Sequence, residues 1–548
     1  METKMTTDSN ILYGGPDIPL VHADAKCLGE MIQRKFNVNA SKICFVNADS
    51  GQTMTVGELY GRSIQLAKAL RLDGVDAGDV IGLCSENRAE FPVVLFAAFF
   101  VGATVAPLNT SYIEDELIHS LRLSKPNIIF ATSFTIGKIV QAASKSPFIR
   151  KVICVDDKQP NKAVTKYSKY INATKSSNEE FACKPVDINS NIALILCSSG
   201  TTGLPKGVQL TQANLWRAVS HLHDHFNLLA DALDGGISIL SIIPWFHAYG
   251  LMTTIGMAIC GAKLVTFPRF NEKIFLRSIE TYKVNLLMAV PPLMLILAKH
   301  PLVSKYDLSS LLVIFCGAAP LSKEIEDEVY KRIGVLAIRQ GFGMSEMTLS
   351  VLQQDQEHCT SGSVGCLRPG MYGKVIDPDT GKILGPNEHG ELCFKGSAVM
   401  KGYIGNRQAT KQTIDDDGWL YTGDIGYYDD NHEWFIVDRI KELIKYKGFQ
   451  VPPADVENVL LTHPDIMDAG VVGVPNEAAG ELPMAFVVKK RNAKLTEKDV
   501  IDYVAGKMSY AKRLHGGVKF IKEIPKNMSG KILRRELKKL VTNGKSKL

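Results

Sequence analysis

Apolar residues follow two alternating patterns along most of the chain. Thr55 and Glu58 form a capping-box pattern ahead of apolar residues at helical spacing, which predicts that a helix begins there. Beyond it, short apolar runs such as DVIGLC, NIIFAT and KVICV alternate with amphipathic stretches, and a second succession of the same kind starts at residue 238. This alternation of strand-like and helix-like segments predicts two doubly wound α/β layers.

The uncharged stretch at residues 91–108, FPVVLFAAFFVGATVAPL, approaches the length of a membrane span. Pro92, Gly102 and Pro107 interrupt it. We therefore expect a buried helix followed by a buried strand, and no membrane span.

The pattern changes twice in the C-terminal half. From about residue 363 to 404 it is typical of hairpins, with DPDTGK as a turn, and this predicts a small β unit. The segment that follows has helix and strand signals of its own, including a capping pattern at Thr496 and Asp499. We therefore predict an N-terminal domain at residues 1–438 and a separate α+β domain at residues 439–548.

The chain of 548 residues carries a net charge of +6, and its basic residues are unevenly distributed. Residues 441–548 contain 21 Lys and Arg against 12 Asp and Glu, whereas residues 1–440 contain 42 against 45. No recognisable DNA- or RNA-binding module and no set of stacking aromatic residues accompanies this excess, so no nucleic-acid partner is predicted. Contacts with a polyphosphate, together with a solvated surface, explain the basic domain better.

The cysteines and the two ends of the chain bear on localisation. The eleven cysteines all precede residue 394 and include no C-x-x-C pair, which fits a reducing compartment. The N-terminus lacks the apolar segment of a secretion signal. The chain ends in Ser546-Lys547-Leu548, a signal that the peroxisomal import receptor reads. A peroxisomal location is therefore predicted, with that receptor as a partner.

The segment CSSGTTGLPKGV at residues 197–208 follows a predicted buried strand and combines hydroxyl and glycine residues with one lysine. It is not a Walker P-loop. The required spacing, counted from Gly200, puts Pro205 at a glycine position and Gly207 at the position of the Mg²⁺-binding hydroxyl. Its hydroxyls and Lys206 nevertheless suit a polyphosphate. On this segment alone, a phosphate-binding loop and an ordinary polar loop remain equal alternatives.

Four further segments are typical of a nucleotide site: GFGMSEMT (341–348), YTGD (421–424), DRIKELIKYKG (438–448) and PKNMSGKILRREL (525–537). In this order and spacing the chain resembles the adenylate-forming superfamily of acyl-CoA synthetases, 4-coumarate-CoA ligases and beetle luciferases. The resemblance covers nearly the whole chain. It is strongest toward insect fatty acyl-CoA synthetases and beetle luciferases, which share LIKYKGFQV and the terminal GKSKL. It implies a large α/β domain, with two doubly wound subdomains and a small β-barrel, and a smaller, mobile α+β C-terminal domain.

The resemblance implies a reaction in two steps. A carboxylate attacks the α-phosphorus of ATP to give an acyl adenylate and pyrophosphate, and the acyl group is then transferred to CoA. Glu346 would hold the Mg²⁺ that offsets the charge of the triphosphate. Asp424 would accept hydrogen bonds from both ribose hydroxyls, with Arg439 nearby. The residues implied to bind ATP or AMP are Ser198, Ser199, Thr201, Thr202, Lys206, Gly317, Ala318, Ala319, Gly341, Phe342, Gly343, Asp424 and Arg439.

The C-terminal domain is implied to serve both steps by rotating about residues 438–441. Lys531 would stabilise the oxyanions of the first step, and Lys445 would act in the second. Ser345 would bond the α-phosphate or the acyl carbonyl, and His247 would flank that carbonyl or orient the thiol. Without the resemblance, each of these residues would have an ordinary structural role. The residues implied to contact CoA are Lys447, Gly448 and Phe449.

The segment HLHDH at residues 221–225 suggests a metal site at first sight. On a helix only His221 and His225 would share a face. No acidic partner for them is evident in the sequence, so no metal site is predicted there.

The acyl pocket is implied to be mostly apolar. In beetle luciferases a serine usually stands in place of Leu349 and helps to hold luciferin, and a leucine would leave its polar partner unpaired at a cost of about 1 to 3 kcal/mol. Ala218, in place of a luciferase arginine, points the same way. We therefore predict an acid-thiol ligase that activates a medium- to long-chain fatty acid. The implied pocket residues are Tyr249, Thr253, Phe315, Leu349 and Ser350.

Three alternatives to the fatty acyl-CoA synthetase remain open. A luciferase would oxidise its adenylate with O₂, and an enzyme similar to 4-coumarate-CoA ligase would take an aromatic acid. A catalytically silent binding protein is the third, and the intact set of motif lysines and acids counts against it. The predicted partners are the carboxylic acid, ATP, CoA and the import receptor, with the chain acting as a monomer.

Overall fold

A computed structural model describes residues 9–157, 162–172, 180–198, 205–232, 236–355, 357–447, 449–527 and 530–545, without the side chains of residues 227–232 and 542–545. Some of the predicted positions lie outside these ranges. They are Ser199, Thr201, Thr202 and Gly448 of the predicted site and the terminal Ser546-Lys547-Leu548.

The described residues form 27 strands, of which the first seventeen precede residue 370. These are β1 (Leu12–Tyr13), β2 (Ile43–Asn47), β3 (Thr53–Thr55), β4 (Val80–Cys84), β5 (Thr104–Pro107), β6 (Ile128–Ala131), β7 (Lys151–Cys154), β8 (Val164–Lys166), β9 (Ile192–Ser198), β10 (Lys206–Thr211), β11 (Ser238–Leu240), β12 (Lys263–Thr266), β13 (Leu286–Ala289), β14 (Val313–Cys316), β15 (Ala337–Phe342), β16 (Leu352–Gln353) and β17 (Cys366–Leu367). The remaining ten are β18 (Met371–Ile376), β19 (Gly390–Gly396), β20 (Gly402–Tyr403), β21 (Leu420–Tyr428), β22 (Trp434–Arg439), β23 (Ile444–Tyr446), β24 (Phe449–Val451), β25 (Ile466–Asn476), β26 (Gly480–Lys489) and β27 (Val518–Phe520).

Fifteen α-helices and three short 3₁₀ helices accompany the strands in the described ranges. The α-helices are α1 (Leu28–Val38), α2 (Val56–Leu72), α3 (Glu90–Val101), α4 (Glu114–Ser124), α5 (Ile136–Ser144), α6 (Tyr167–Asn172), α7 (Gln212–Ala232), α8 (Ala248–Cys260), α9 (Glu272–Tyr282), α10 (Pro291–Lys299), α11 (Lys323–Ile333), α12 (Arg407–Thr413), α13 (Pro453–Leu461), α14 (Glu497–Lys507) and α15 (Arg534–Lys545). The 3₁₀ helices are Pro301–Lys305, Ser345–Met347 and Tyr510–Lys512.

Two large sheets form the body of the N-terminal part. The first has eight strands in the order β20-β10-β9-β5-β4-β6-β7-β8, and the second has nine in the order β17-β16-β15-β14-β13-β11-β12-β2-β3. Neighbouring strands from β9 to β8 in the first sheet, and from β15 to β2 in the second, run parallel. Helices connect these strands, so the two predicted α/β layers are confirmed.

The predicted β unit is a five-stranded antiparallel sheet in the order β1-β18-β19-β21-β22. Its strands extend to Arg439, beyond the predicted limit near residue 404, and β1 joins it from the N-terminus. β20, at Gly402–Tyr403, pairs instead with β10 of the first large sheet. Sequence pattern located this unit but could not show which distant strand completes it.

The C-terminal part has a sheet and a core of its own. Its strands run in the order β24-β23-β26-β25, with β27 parallel to β26. One apolar cluster joins β23, β25 and β26 to α13 and α14, and a smaller one joins β25 and β26 to α15. This arrangement matches the predicted α+β character of the segment.

Three local predictions from the sequence are confirmed. Capping boxes begin α2 at Thr55 and α14 at Thr496, each reciprocated by the acid three residues later. The uncharged stretch becomes the buried helix α3 and the buried strand β5. Gly102 separates them with a φ of +78°, a left-handed conformation that favours glycine. Across the described ranges, no helix combines the length and apolar composition needed to cross a bilayer.

Candidate active site

A cavity of about 630 Å³ opens where the parallel strands of the large sheets end. Ser198 at the end of β9, Phe315 near the end of β14 and Gly341 in β15 line it. A second cavity of about 260 Å³ extends toward the C-terminal domain, and Ala318, Gly341 and Lys531 belong to both walls. Ligands of open α/β sheets bind at the carboxyl ends of the strands, so this pair of cavities is the candidate active site.

Most of the predicted site residues meet at these cavities. Those that line the larger cavity are Ser198, Lys206, His247, Tyr249, Phe315, Gly317, Ala318, Gly341, Gly343, Ser345, Glu346, Leu349, Ser350, Arg439 and Lys531. Those that line the smaller one are Ala318, Ala319, Gly341, Phe342, Gly343, Asp424, Arg439 and Lys531.

Four predicted residues within the described ranges line neither cavity. Thr253 is buried, and its hydroxyl donates to the carbonyl of Tyr249 at 2.7 Å, so it supports a wall residue and does not line the pocket as predicted. Lys445 on β23, Lys447 just after β23 and Phe449 on β24 are exposed on the C-terminal domain.

The two ends of the predicted phosphate loop face each other across a hairpin. Lys206 in β10 pairs in register with Ser198 in β9. The ammonium of Lys206 lies 4.5 Å from the ring centroid of Tyr403, whose hydroxyl donates to Oε1 of Glu346 at 2.8 Å. The sequence did not single out Tyr403, which thus connects the loop lysine to the predicted metal-binding carboxylate. A cation and a carboxylate held at one cavity wall suit a metal-bound polyphosphate.

Asp424 and Arg439 form the predicted ribose-binding pair. They face each other in the register of β21 and β22, and Nε of Arg439 lies 3.1 Å from Oδ1 of Asp424. Burial raises the pKa of Asp424, while Arg439 and Lys531 act in the opposite direction. Asp424 is 5% exposed and lines the smaller cavity.

Lys531 lies in a tight turn of the C-terminal domain. Its backbone N–H donates to Oδ1 of Asn527 at 2.8 Å, and the N–H of Asn527 donates back to the Lys531 carbonyl at 2.9 Å. Gly530 has a φ of +81°, and a Cβ there would lie 2.8 Å from Pro292 of the large domain. Burial and the charge of Arg439 lower the pKa of Lys531 to about 8. The turn therefore holds an ammonium at the junction of both cavities.

His247 presents a polar atom with no protein partner to the larger cavity. Nε2 of this residue is buried without a hydrogen bond in the part of the chain that the structure describes. Burial lowers the pKa of His247 to about 4, so the ring is neutral near pH 7. An unpaired buried nitrogen costs about 1 to 3 kcal/mol, which a hydrogen bond from bound substrate would recover.

The backbone is strained in two of the predicted site segments. Ala318 and Thr348, neither of them glycine, have φ values of +70° and +63°. Gly343 approaches the neighbouring chain so closely that a Cβ would lie 1.7 Å from the Leu349 carbonyl oxygen. Strained residues of this kind cost about 1 to 3 kcal/mol each and concentrate at ligand sites.

The far wall of the larger cavity is aromatic and aliphatic. The rings of His225, Phe226 and Phe315 lie 5.2 to 5.9 Å apart by centroid, and Leu222 and Leu349 complete the wall. The sequence considered His225 only for metal binding and did not mark Phe226 at all. Their place on α7 beside β14 depends on packing between distant segments, which no local signal reveals.

His221 has the acidic neighbour that the sequence did not reveal. Its Nε2 lies 3.2 Å from Oδ1 of Asp17, 204 residues earlier. Burial lowers the pKa of His221 to about 3, so the pair is not a salt bridge near neutral pH. Within the described ranges, no group of three or more His, Cys, Asp or Glu side chains is arranged to hold a metal ion.

Comparison with known families identifies the fold and the chemistry. The AMP-binding enzyme family matches residues 32–404, and the AMP-binding enzyme C-terminal domain matches residues 455–531. The chain belongs to the AMP-binding enzyme family. It is therefore an adenylate-forming enzyme of the group that contains acyl-CoA ligases and luciferases, as the sequence motifs predicted.

Individual relatives of this family are similar over nearly the whole chain. A luciferin 4-monooxygenase of Nipponoluciola cruciata is 42% identical over 549 residues, which cover 99% of this chain and 100% of the relative. A 4-coumarate--CoA ligase of Humulus lupulus is 39% identical over 509 residues, 91% of each chain. The structure of ATP-bound MatB from Rhodopseudomonas palustris matches with a TM-score of 0.84 at 26% identity, over 94% of this chain and 99% of that one.

Proposed function

We propose that this protein is an ATP-dependent fatty acyl-CoA synthetase that activates a medium- to long-chain fatty acid as acyl-AMP and transfers it to CoA. One observation carries the proposal. A single cavity joins a charged end, with Lys206, Arg439 and Lys531, to an apolar end with Phe226 and Leu349. A triphosphate suits the first end and an acyl chain suits the second.

In the first step the acid's carboxylate attacks the α-phosphorus of ATP and pyrophosphate leaves. Lys531 and Lys206 stabilise the charge that develops on the phosphate oxygens, and Asp424 orients the ribose. His247, with its free Nε2, donates or accepts a hydrogen bond at the acyl carboxylate. Ser345, at the start of a 3₁₀ helix on the cavity wall, bonds the α-phosphate or the acyl carbonyl.

A Mg²⁺ ion fits beside Glu346. Mg²⁺ is commonly bound through one or two carboxylates together with substrate phosphates and waters, and Glu346 supplies one buried carboxylate at the phosphate end. Tyr403 fixes that carboxylate through the hydrogen bond to Oε1. When bound with ATP, the ion would neutralise part of the triphosphate charge.

The second step needs the thiol of CoA at the acyl adenylate. Lys445, with Lys447, Gly448 and Phe449, is proposed to enter the site after the C-terminal domain rotates about residues 438–441. The exposure of Lys445 and Phe449 away from both cavities supports this division of roles.

The test is a panel of acids of increasing chain length, assayed for AMP release with and without CoA. We expect turnover that requires both CoA and a medium- or long-chain fatty acid, with hydroxycinnamic acids as poor substrates. Equal rates without CoA, or no preference for fatty acids, would remove the proposal. Absence of pyrophosphate exchange with every acid would favour a silent binding protein.

A luciferase is the second candidate, and the near full-length similarity to luciferin 4-monooxygenases favours it. The discriminating measurement is light emission with luciferin, ATP and Mg²⁺. We expect weak or no light from the wild type, because Leu349 offers no hydroxyl at the position where beetle luciferases usually have a serine. The Leu349→Ser variant should emit more light than the wild type. Strong emission from the wild type would overturn our interpretation of Leu349.

We also propose a peroxisomal location, on the basis of the terminal Ser546-Lys547-Leu548. A fluorescent protein fused to the N-terminus should accumulate in peroxisomes. Removal of the three terminal residues should leave the fusion in the cytosol, and an unchanged distribution would contradict the proposal.

A further inference from the structure

The acid end of the larger cavity contains a guanidinium that the proposed reaction does not use. Arg368 follows β17, its backbone N–H donates to the carbonyl of Val351 at 2.9 Å, and its side chain lines the cavity. Nη1 donates to Oγ of Ser350 at 3.0 Å, so the side chain is held in place by a residue of the same wall. Burial lowers the pKa of Arg368 to about 10, with Asp17 opposing that shift. The guanidinium is thus charged, held in place and partly removed from water.

The described residues supply no close counter-ion for this charge. Among the described residues, no carboxylate oxygen lies within 4 Å of the guanidinium of Arg368. Asp17, the acid that influences it, is already occupied by Nε of Arg217 at 3.0 Å, Nε2 of His221 at 3.2 Å and Oγ of Ser397 at 3.1 Å. A desolvated cation without a partner is costly, and a bound anion would relieve that cost.

A second guanidinium of this cavity also lacks a nearby carboxylate among the described residues. Arg339, in β15, lines the same cavity and has no carboxylate partner within 4 Å among the described residues. After burial, Arg368 is the next largest cause of the lowered pKa of His225, and Arg339 contributes as well. Both guanidinium groups therefore act on the aromatic wall that His225 shares with Phe226. That wall is less purely apolar than a pocket for an unsubstituted alkyl chain would require.

Arg368 belongs to the acyl wall of the cavity, where its charge lowers the pKa of His225. The largest charge effects on Lys531, at the phosphate end, come from Arg439, Glu442, Asp424 and Arg534. Arg368 instead contacts Ser350, next to Leu349 of the acyl wall. An acid whose carboxylate is activated near Lys531 would extend along Leu349 toward Arg368.

We infer that the preferred acid carries a second oxygen function at its distal end, foremost a carboxylate, which accepts hydrogen bonds from the guanidinium of Arg368. The substrate class is then a dicarboxylic or otherwise ω-oxygenated fatty acid. This inference rests on the proposed function and names its substrate more narrowly. Ser350 positions the guanidinium, and Arg339 adds positive charge to the same end.

The test compares acids matched in chain length, namely the monocarboxylic, ω-hydroxy and dicarboxylic members, by kcat/KM for pyrophosphate release. With the wild type we expect the dicarboxylic acid to exceed the monocarboxylic acid at least about tenfold, which is about 1.4 kcal/mol, with the ω-hydroxy acid between them. Arg368→Met should abolish or reverse that order, and Arg368→Lys should retain part of it. Arg269→Met, at an exposed arginine outside both cavities, is the control and should leave the order unchanged.

The outcomes separate the inference from the proposed function. Efficient use of monocarboxylic acids, with an order of preference that Arg368→Met does not change, would overturn the inference and leave the synthetase function standing. Failure of every chain-length-matched acid to release pyrophosphate would overturn both. If Arg368→Met does not fold, the Arg368→Lys variant and the preference of the wild type still test the inference. Equal use of all three acids by the wild type would contradict it.

Discussion

The turn that contains Lys531 and the hairpin that contains Lys445 belong to the same C-terminal domain but have opposite surroundings. Lys531 lies between the cavities, close enough to Asp424, Arg439 and Glu442 for their charges to affect its pKa. Lys445 is exposed on β23, and its backbone N–H donates to Oε2 of Glu481 at 3.1 Å. Both are lysines in a basic segment, so composition alone could not distinguish them.

The position of Lys531 changes its pKa. Desolvation and the nearby cation Arg439 lower the pKa of Lys531, and the nearby carboxylates partly oppose that shift. A desolvated ammonium is strongly stabilised when it forms a charge-assisted hydrogen bond to a phosphate oxygen. We infer that the described orientation of the domain serves the first half-reaction, and that Lys445 becomes comparable only after the domain rotates.

The Lys531→Ala variant is the strongest test of whether Lys531 and Lys445 act in separate steps. Loss of the buried ammonium should slow acyl-adenylate formation by roughly 10²- to 10³-fold, because the developing phosphate charge loses its stabilising donor. Transfer of the acyl group from preformed acyl-AMP to CoA should remain within about twofold of the wild type. Pyrophosphate exchange measures the first step, and thioester formation from synthetic acyl-AMP measures the second. Equal loss in both steps would contradict separate roles.

Lys445→Ala should give the reverse pattern with a smaller effect. A charge-assisted hydrogen bond contributes about 1.5 to 3 kcal/mol, so thioester formation should slow by roughly 10- to 100-fold. Pyrophosphate exchange should be unchanged, because Lys445 does not line the cavities in this orientation. Lys498→Ala, at an exposed lysine of α14, is the matched control and should leave both steps intact.

Gly530→Ala tests whether the turn geometry itself places Lys531. An alanine there would adopt a strained φ and meet Pro292, which we expect to shift the lysine and slow the first step about tenfold. The second step should change little, because the proposed rotation would carry the domain away from Pro292. Gly506→Ala, in α14 with open space around it, is the control. A normal rate of adenylation in Gly530→Ala would show that the turn tolerates displacement.

The smallest expected effect is on the pH dependence of the first step. Because the pKa of Lys531 is lowered to about 8, the lysine is charged below that pH and becomes neutral above it. Adenylation kcat/KM should therefore fall to about half its plateau near pH 8 and continue to fall at higher pH. The transfer step, assayed from acyl-AMP, should lack this decline. A first-step rate that stays flat to pH 10 would mean that Lys531 keeps an ordinary pKa in the free enzyme.

Much of the fold followed from local pattern. The capping boxes at Thr55 and Thr496, the buried helix and strand of the uncharged stretch, and the two α/β layers all depend on residues close together in sequence. The pattern did not predict that β1 joins the small antiparallel sheet or that β20 pairs with β10. Those pairings join segments far apart in the chain, where hydrophobic periodicity carries no information about the partner.

In the candidate site, too, some residues follow from local motifs and others depend on packing between distant segments. The order of the motifs implied Lys206, Asp424, Arg439 and Lys531, which the structure brings to the two cavities, and the family comparison confirms the adenylate-forming chemistry that the motifs predicted. Thr253, which the resemblance implied for the acyl pocket, is buried one helical turn from the wall residue Tyr249 and does not line the cavity, a difference in depth that local sequence does not encode.

The sequence by itself determined the family and its adenylate-forming chemistry, since these are encoded in short contiguous motifs. Only the tertiary structure decided which lysine is desolvated, that Tyr403 holds Glu346, and that Arg368 lines the acyl wall without a close carboxylate among the described residues. The physical reason is that burial and electrostatic environment are properties of neighbours in space. Sheet register and helix packing bring those neighbours together from segments far apart in the chain.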